Sequence, residues 1–209
     1  MNDKEQVTAM KLFHSPLSPF VRKVMVVLME KGLTAEIVSV TGSPVNPGTL
    51  PVDVNPLGKI PTLVTDEGRP LFDSRVICRY LDDLAGAGLY GDGATLWDVL
   101  TGEALADGVM EAAVLLTYEA RLRPEELRFA PWVEGQWAKI ARALDAAEGQ
   151  MALLSGPLNM AQIGLACALA YLDLRHHARD WRNGRPRLTE WEAGFARRPS
   201  MQATRPPAP

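Results

Sequence analysis

The sequence predicts an α+β N-terminal half followed by an all-α helical bundle. Short apolar runs with the length of strands occur before residue 85, where they alternate with helical patterns. Residues 85–93 are rich in glycine, and beyond them long segments repeat apolar residues at helical spacing. We therefore expect a polar tail at residues 1–9, a first domain at 10–85, a linker at 86–93 and a helical domain at 94–209.

Composition restricts the partners and the location. A net charge of −3 supplies no basic field for nucleic acid or an anionic membrane. No apolar run approaches the roughly 20 residues that a membrane span needs. The start, MNDKEQVTA, lacks the apolar centre of a signal peptide. We therefore expect a cytoplasmic protein without nucleic-acid or membrane partners.

The cysteines and histidines indicate neither disulfide nor metal chemistry. Cys78 and Cys167 both fall within apolar helical patterns, which is typical of buried thiols in a reducing compartment. His176 and His177 are adjacent, so on a helix they would point apart. No Cys/His cluster has the spacing of metal ligands, and we expect no bound metal.

The segment KLFHSPLSPFVRKV, residues 11–24, carries the first functional signal. A strand-like run at Leu12 and Phe13 ends at two Ser-Pro pairs, and a helix is predicted at about 20–31. Proline is favoured at the first helical position, which makes Ser18 the N-cap before Pro19. Unpaired N–H groups and the positive end of the helix dipole suit an anion at this point, including a thiolate. The alternative is that Ser18 only caps the helix.

A second signal lies in residues 55–81. A turn at 55–58 precedes a predicted strand at 60–64, and a hairpin turn at 66–68 leads to a strand near 70–72. Asp73 and Ser74 are capping residues at the start of another amphipathic helix, for which the pattern places Val76 on the inward face. Together with a strand near 35–40, this order of elements describes a thioredoxin-like fold.

Four signals in order carry a family resemblance. They are Ser18-Pro19-Phe20, Lys59-Ile60-Pro61, Asp73-Ser74 and the all-helical second half. From Met10 to about Pro206 the chain resembles a cytosolic glutathione S-transferase of the serine type. The resemblance implies glutathione-binding residues at Ser18, Lys59, Ile60, Pro61, Asp73 and Ser74.

Each residue has an implied role. Ser18 would donate a hydrogen bond to the glutathione sulfur and is the implied catalytic residue. The backbone of Ile60 would pair with the cysteinyl part, next to a cis peptide bond at Pro61. Asp73 and Ser74 would hold the γ-glutamyl end. Lys59 would lie near the glycyl carboxylate.

Simpler interpretations stay open for several residues. Lys59 also fits a solvated turn lysine, and Asp73 also fits a plain helix cap. Ser15 competes with Ser18 but lacks a helix directly behind it. His14 could act as a base, although a lone histidine at the end of a strand is more typical of a structural residue.

The resemblance implies a transferase that activates the glutathione thiol for attack on a small hydrophobic electrophile, with glutathione as co-substrate. It also implies a homodimer and a role in detoxification. Redox relatives carry cysteine at the positions of Ser18 and Val21, so dithiol–disulfide exchange is excluded at this site. Alternatives are a non-catalytic glutathione-binding protein, or another glutathione-dependent enzyme such as an isomerase, dehalogenase or peroxidase.

In the helical half, patterns predict helices at 94–123 and 132–151. Val109, Met110, Ala113 and Tyr118 are candidates for the wall of the electrophile pocket, although bundle core explains the same residues. A third helix is predicted to begin at an Asn159 cap with a capping-box glutamine, Gln162. Family members usually carry Ser or Thr and then Asp at these two positions.

Overall fold

The computed structural model describes residues 9–207, and the chain divides into two compact units between Ala87 and Gly88. Within the described residues, the first unit contains a four-stranded sheet with two helices, and the second contains helices only. The predicted fold class is therefore confirmed. Except for Ala9, the predicted polar tail at 1–9 lies outside the described residues.

The first unit is a mixed sheet with a helix after its first and its last strand. Its strands are β1 (Lys11–His14), β2 (Glu36–Ser39), β3 (Thr62–Val64) and β4 (Pro70–Leu71). Its helices are α1 (Pro19–Glu30) and α2 (Ser74–Leu84). The strand order is β2-β1-β3-β4, with β1 parallel to β2 and β3 antiparallel to both of its neighbours. The predicted strand at 60–64 begins two residues later because Ile60 and Pro61 stay outside the ladder.

Helix α1 is buried on more of its surface than its periodicity predicts. Val21, Val24 and Leu28 are buried as expected, and α1 packs against α2. Arg22 and Lys23, however, are only 8% and 0% exposed. Because the long side chains of these residues are mostly apolar stem, they can cover core surface while their charged ends reach polar partners.

The inward face of α2 differs in part from the prediction. Ile77, Cys78 and Leu81 are buried, whereas Val76, which the pattern placed inward, is 47% exposed. Asp82 is buried on this helix as well, and its carboxylate pairs with Lys31 at 2.8 Å. A carboxylate with an ion-pair partner therefore occupies an inward position, and the apolar Val76 faces outward.

The second unit is built around one central helix. Its helices are α3 (Leu96–Leu122), α4 (Ala130–Gly149), α5 (Met151–Leu154), α6 (Met160–His176), α7 (Pro186–Phe195) and α8 (Pro199–Ala203), with short 3₁₀ turns at Glu125–Leu127 and His177–Arg179. Helix α6 is buried over most of its length and packs mainly on α3. At Gly102 of α3 an added Cβ would come within 2.6 Å of the Ala161 side chain, so glycine permits this close approach.

The pocket candidates on α3 lie in this helical core. Val109, Met110 and Ala113 are buried, in agreement with the alternative that they are bundle core, while Tyr118 is 40% exposed. The predicted helix at 132–151 ends at Gly149, and Met151 begins the separate α5. None of the described helices combines the length and the apolar content that crossing a bilayer requires.

The Asn159 cap of α6 is confirmed, whereas the Gln162 side chain, predicted to complete a capping box, bonds to the loop before the helix. The backbone N–H of Gln162 donates to Asn159 Oδ1 at 3.0 Å. The side-chain amides of Asn159 and Gln162 both donate to the carbonyls of Leu153 and Pro157 at 3.2–3.4 Å. The Gln162 side chain thus anchors the loop before the helix, while the backbone N–H of the same residue takes part in the cap.

We expect Asn159→Ala to lower the free energy of unfolding by about 1 kcal/mol, because the α6 N-terminus loses its side-chain acceptor. This corresponds to a fall of roughly 2–4 °C in Tm for a chain of this size, measured by thermal denaturation. Asn159→Ser is the matched control, since it keeps an acceptor while removing the amide donor. An Ala variant as stable as the Ser variant would contradict the cap contribution.

Candidate functional site

Three loops that carry predicted site residues meet at one edge of the sheet. In the register of β3, Thr62 lies opposite Phe13 and Leu63 lies opposite Leu71. Because β3 is antiparallel to β1 and β4, its start lies beside the ends of those two strands. The loop after β1, the loop before β3 and the loop after β4 therefore converge, bringing the segments of Ser18, Ile60 and Asp73 together.

Ser18 is the N-cap of α1, as predicted. Its backbone is extended, and its Oγ accepts a hydrogen bond from the Val21 N–H at 3.3 Å, while Pro19 begins the helix. Among residues 9–207 this accepted bond is the only one of the Ser18 hydroxyl, so its proton can be donated to a ligand. The half-buried oxygen lies where the dipole of α1 is positive.

The two competing residues on this loop are placed differently. Ser15 lies in the turn before α1, where its carbonyl accepts from the Ser18 N–H at 3.1 Å. His14 ends β1 and is half-buried, and this burial lowers the pKa of its imidazole. His14 is therefore held in the neutral form at neutral pH, with its backbone in the sheet.

The backbone before β3 presents an open edge. The Ile60–Pro61 peptide bond is cis, and within the described part of the chain neither the N–H nor the C=O of Ile60 has a backbone partner. Unpaired backbone groups next to a strand can pair with an extended peptide ligand. Lys59 is exposed, and no ion pair of its side chain is found within residues 9–207.

Asn55 holds this loop in place, a role that sequence reasoning missed. The side chain is 1% exposed, and its Nδ2 donates to the Lys59 carbonyl and to Thr62 Oγ1, both at 3.0 Å. Its Oδ1 accepts from the Leu57 N–H at 3.0 Å. Thr62 Oγ1 donates to the same Lys59 carbonyl at 2.8 Å. These bonds fix the backbone on both sides of Ile60.

Asp73 is the N-cap of α2 and is half-exposed. It accepts from the Arg75 N–H at 3.0 Å and from the Arg75 guanidinium at 3.0 and 3.4 Å. Partial burial raises the pKa of the Asp73 carboxyl, but the bonds and charge of Arg75, with the charge of Lys23, outweigh it and leave the pKa below its ordinary value. Asp73 is thus an anion at neutral pH. Ser74, the first residue of α2, is buried.

Lys23 is the second residue that the sequence did not reveal as part of this region. It is fully buried on α1, five residues after Ser18, and its charge acts on the Asp73 carboxyl. A lysine within an apolar helical run is the signal that could have marked it, because buried ammonium groups need polar partners. It adds positive charge on the side of α1 that faces Asp73.

The described residues contain no group of three or more His, Cys, Asp or Glu side chains placed to hold a metal ion. The sheet edge offers a hydroxyl at a helix N-terminus, an open backbone edge and a carboxylate flanked by cations. This set suits a small peptide-like ligand with a charged end and an anionic or acidic group.

Comparisons with known proteins agree with this description. Residues 17–84 match the family "Glutathione S-transferase, N-terminal domain", and residues 130–194 match "Glutathione S-transferase, C-terminal domain". The chain is 38% identical to the uncharacterised GST-like protein YibF of Escherichia coli K12, over 95% of this chain and 99% of that protein. It is 33% identical to maize glutathione S-transferase 3, over 93% and 92% of the two chains.

Solved structures give the same result. A glutathione transferase family member from Pseudomonas fluorescens Pf-5 with bound glutathione is 45% identical, with a TM-score of 0.93 over 96% of this chain and all of that chain. A glutathione S-transferase from Methylobacillus flagellatus KT with glutathione bound is 36% identical, with a TM-score of 0.86 over 95% of this chain and all of that chain. The chain belongs to the glutathione S-transferase family.

Proposed function

We propose that this protein is a serine-type glutathione transferase in which Ser18 stabilises the ionised thiol of glutathione. The observation that carries this proposal is the Ser18 hydroxyl, whose oxygen caps α1 and whose proton has no acceptor among residues 9–207. The relatives solved with glutathione support it, since they match this chain along nearly its whole length.

The proposed binding mode uses the three converging loops. The open N–H and C=O of Ile60 pair with the cysteinyl backbone of glutathione, as in an added strand. Asp73 and Ser74 hold the ammonium and carboxylate of the γ-glutamyl end. Lys59, which is exposed, lies toward the glycyl carboxylate. Held in this way, the tripeptide presents its sulfur to Ser18.

The free energy needed to ionise the glutathione thiol at neutral pH is modest. A free thiol has a pKa of about 8.5, so a small fraction is ionised at neutral pH. Lowering that pKa by about two units requires roughly 2.7 kcal/mol of preferential stabilisation of the thiolate. A hydroxyl donor contributes about 1.5–3 kcal/mol toward a charged acceptor, and the N-terminus of α1 adds to it. The two groups at Ser18 are therefore sufficient.

In the proposed reaction the thiol proton leaves to solvent and a sulfur lone pair attacks an electrophilic carbon. An S–C bond forms, and in a displacement the leaving group departs with the electrons of the bond that breaks. Ser18 donates a hydrogen bond throughout and does not itself attack. The second substrate, beside glutathione, is a small electrophile, and the proposed reaction uses no metal.

Other glutathione-dependent functions would use the same site. An isomerase, dehalogenase or peroxidase would employ the same thiolate, and a non-catalytic binder would hold glutathione without turnover. Assays with aryl halides and with peroxides separate transferase from peroxidase activity, and retention on immobilised glutathione without turnover of aryl halides indicates a binder. We extend the proposal, from the family, to a cytoplasmic homodimer that acts in detoxification.

We expect Ser18→Ala to raise the pKa of bound glutathione by about one to two units and to lower kcat/KM at neutral pH about tenfold or more, because the thiolate loses its donor. The thiol pKa is measured from thiolate absorbance of the binary complex across pH, and kcat/KM with an aryl halide. Loss of the cap also lowers Tm.

Ser15→Ala is the matched control, because it removes the neighbouring hydroxyl on the same loop and should leave both quantities unchanged. If Ser18→Ala lowers Tm while the thiol pKa and kcat/KM stay at wild-type values, Ser18 is only a cap and the proposed mechanism fails.

We expect Asp73→Asn to weaken glutathione binding about ten- to a hundredfold, since an ammonium group loses its charged partner. Asparagine keeps an acceptor for the Arg75 N–H, so the α2 cap and the fold are retained. Isothermal titration calorimetry with glutathione measures the effect, and circular dichroism checks the helix content. Wild-type affinity in this variant would remove Asp73 from the binding site.

A further inference from the structure

The side chain of Asn55 is engaged entirely within its own loop. Its Oδ1 accepts from the Leu57 N–H, and the two hydrogens of Nδ2 go to the Lys59 carbonyl and to Thr62 Oγ1. The backbone N–H of Asn55 donates to the Pro51 carbonyl at 2.8 Å. Because both hydrogens and the oxygen of the amide are used, any effect of this residue on a ligand has to pass through the backbone that it holds.

The carbonyl of Lys59 receives two hydrogen bonds from buried side chains. Asn55 Nδ2 donates to it at 3.0 Å, and Thr62 Oγ1 donates to it at 2.8 Å. A carbonyl oxygen has two lone pairs, so this acceptor is fully used. The two donor residues are only 1% and 0% exposed. The Lys59 carbonyl is therefore directed toward the interior of the first unit and away from any ligand.

The peptide group that joins Lys59 to Ile60 converts this bonding into a direction. It is trans, since the cis bonds of the described residues are Ile60–Pro61 and Phe72–Asp73. In a planar trans peptide the C=O and the N–H point in opposite directions. With the Lys59 carbonyl held inward, the Ile60 N–H is directed outward, and it has no backbone acceptor among residues 9–207.

Thr62 ties this direction to the sheet. It is the first residue of β3 and lies opposite Phe13 of β1 in the antiparallel register. Its hydroxyl accepts from Asn55 and donates to the Lys59 carbonyl, so the three groups form a closed ring of hydrogen bonds. The outward N–H of Ile60 is thus set relative to a strand and not only relative to a loop.

A fixed donor direction affects binding through entropy. A peptide group that could rotate would have to be ordered when a ligand bound, and this ordering would reduce the affinity. A ring that serves only the stability of the loop would change the fraction of folded chains. A ring that also aims the N–H would change the affinity of the chains that are folded.

We propose that Asn55 and Thr62 are a positioning pair, which aims the Ile60 N–H at a main-chain carbonyl of bound glutathione and sets the affinity without touching the ligand. This inference rests on the proposed function, because it takes glutathione as the ligand of the Ile60 edge. The pair controls the cysteinyl part of the ligand, whereas Asp73 and Ser74 hold the γ-glutamyl end from α2.

The test is isothermal titration calorimetry with S-methylglutathione, which keeps the main chain of glutathione and has no ionisable thiol. We expect Asn55→Asp to raise its Kd about tenfold or more, because a carboxylate oxygen replaces Nδ2 and repels the Lys59 carbonyl. The other oxygen still accepts from the Leu57 N–H. A fall in the number of sites per chain at unchanged Kd would show a structural role only and would overturn the proposal.

Thr62 variants give a second measurement that does not depend on the folding of Asn55→Asp. Thr62→Val keeps the shape but removes the hydroxyl, and we expect a similar rise in Kd. Thr62→Ser keeps the hydroxyl and should retain the wild-type Kd. Asn159→Ala is the control for lowered stability, since it removes a helix cap in the other unit and should lower Tm without changing Kd. Equal Kd values for the Val and Ser variants would overturn the proposal.

Double variants test whether the two residues act on one peptide group. Asn55→Asp combined with Thr62→Val should raise Kd no more than the larger single change, because both break the same ring. Asn55→Asp combined with Asp73→Asn should multiply the two single changes, since different elements hold the two parts of the ligand. Multiplication in the first double variant would mean that the residues act separately, and the positioning pair would be wrong.

The result is separable from the proposed thiol activation, because the probe carries no thiol for Ser18 to stabilise. If Ser18→Ala leaves the thiol pKa of glutathione unchanged, the proposed mechanism fails while the positioning pair is still decided by the titrations. If wild type binds S-methylglutathione and the Asn55→Asp and Thr62→Val variants bind it equally well, only the positioning pair is wrong. An absence of binding by wild type would overturn both.

Discussion

The antiparallel pairing of the three-residue strand β3 with β1 and β4 is the constraint on which the first unit depends. It places the start of β3 beside the ends of both neighbours, so three loops meet at one edge. A strand this short needs its register fixed from outside, because a slip of one residue would turn every side chain to the other face. Asn55 fixes the start through Thr62. The turn at Gly68 fixes the end, where the Thr65 N–H donates to the Arg69 carbonyl and the Arg69 N–H donates to Thr65 Oγ1.

Local patterns explain what the sequence could predict. The order of elements, the cap at Ser18 and the cap at Asn159 depend on residues within three or four positions of each other, and all three are confirmed. The burial of Lys23 depends on what covers α1, and periodicity does not report which sides of a helix are covered. The hydrogen bond from Tyr171 to Thr117 joins α6 to α3 across 54 positions, so no local motif marks it.

The charges around Asp73 are those that a zwitterionic ligand end requires. A carboxylate alone would bind an ammonium group but would repel the carboxylate attached to the same carbon. Here Arg75 is bonded to Asp73 at an exposed position, and buried Lys23 acts from α1. Under the proposed function both charges of the γ-glutamyl end would meet an opposite charge, and Arg75 could turn toward the ligand while its backbone N–H stays bonded to the cap.

The capping role of Ser18 and the role toward the thiolate that we propose for it support each other. Capping uses a lone pair of the oxygen, whereas stabilising a thiolate uses the hydroxyl proton, so one side chain can do both at once. Accepting from the Val21 N–H polarises the O–H bond and makes it a stronger donor. Asp and Asn cap helices as well as Ser does, but an aspartate would repel a thiolate. Of these three capping residues, Ser has the smallest side chain. Its capping oxygen, which the helix N-terminus already holds in place, also carries a proton that can be donated to a ligand.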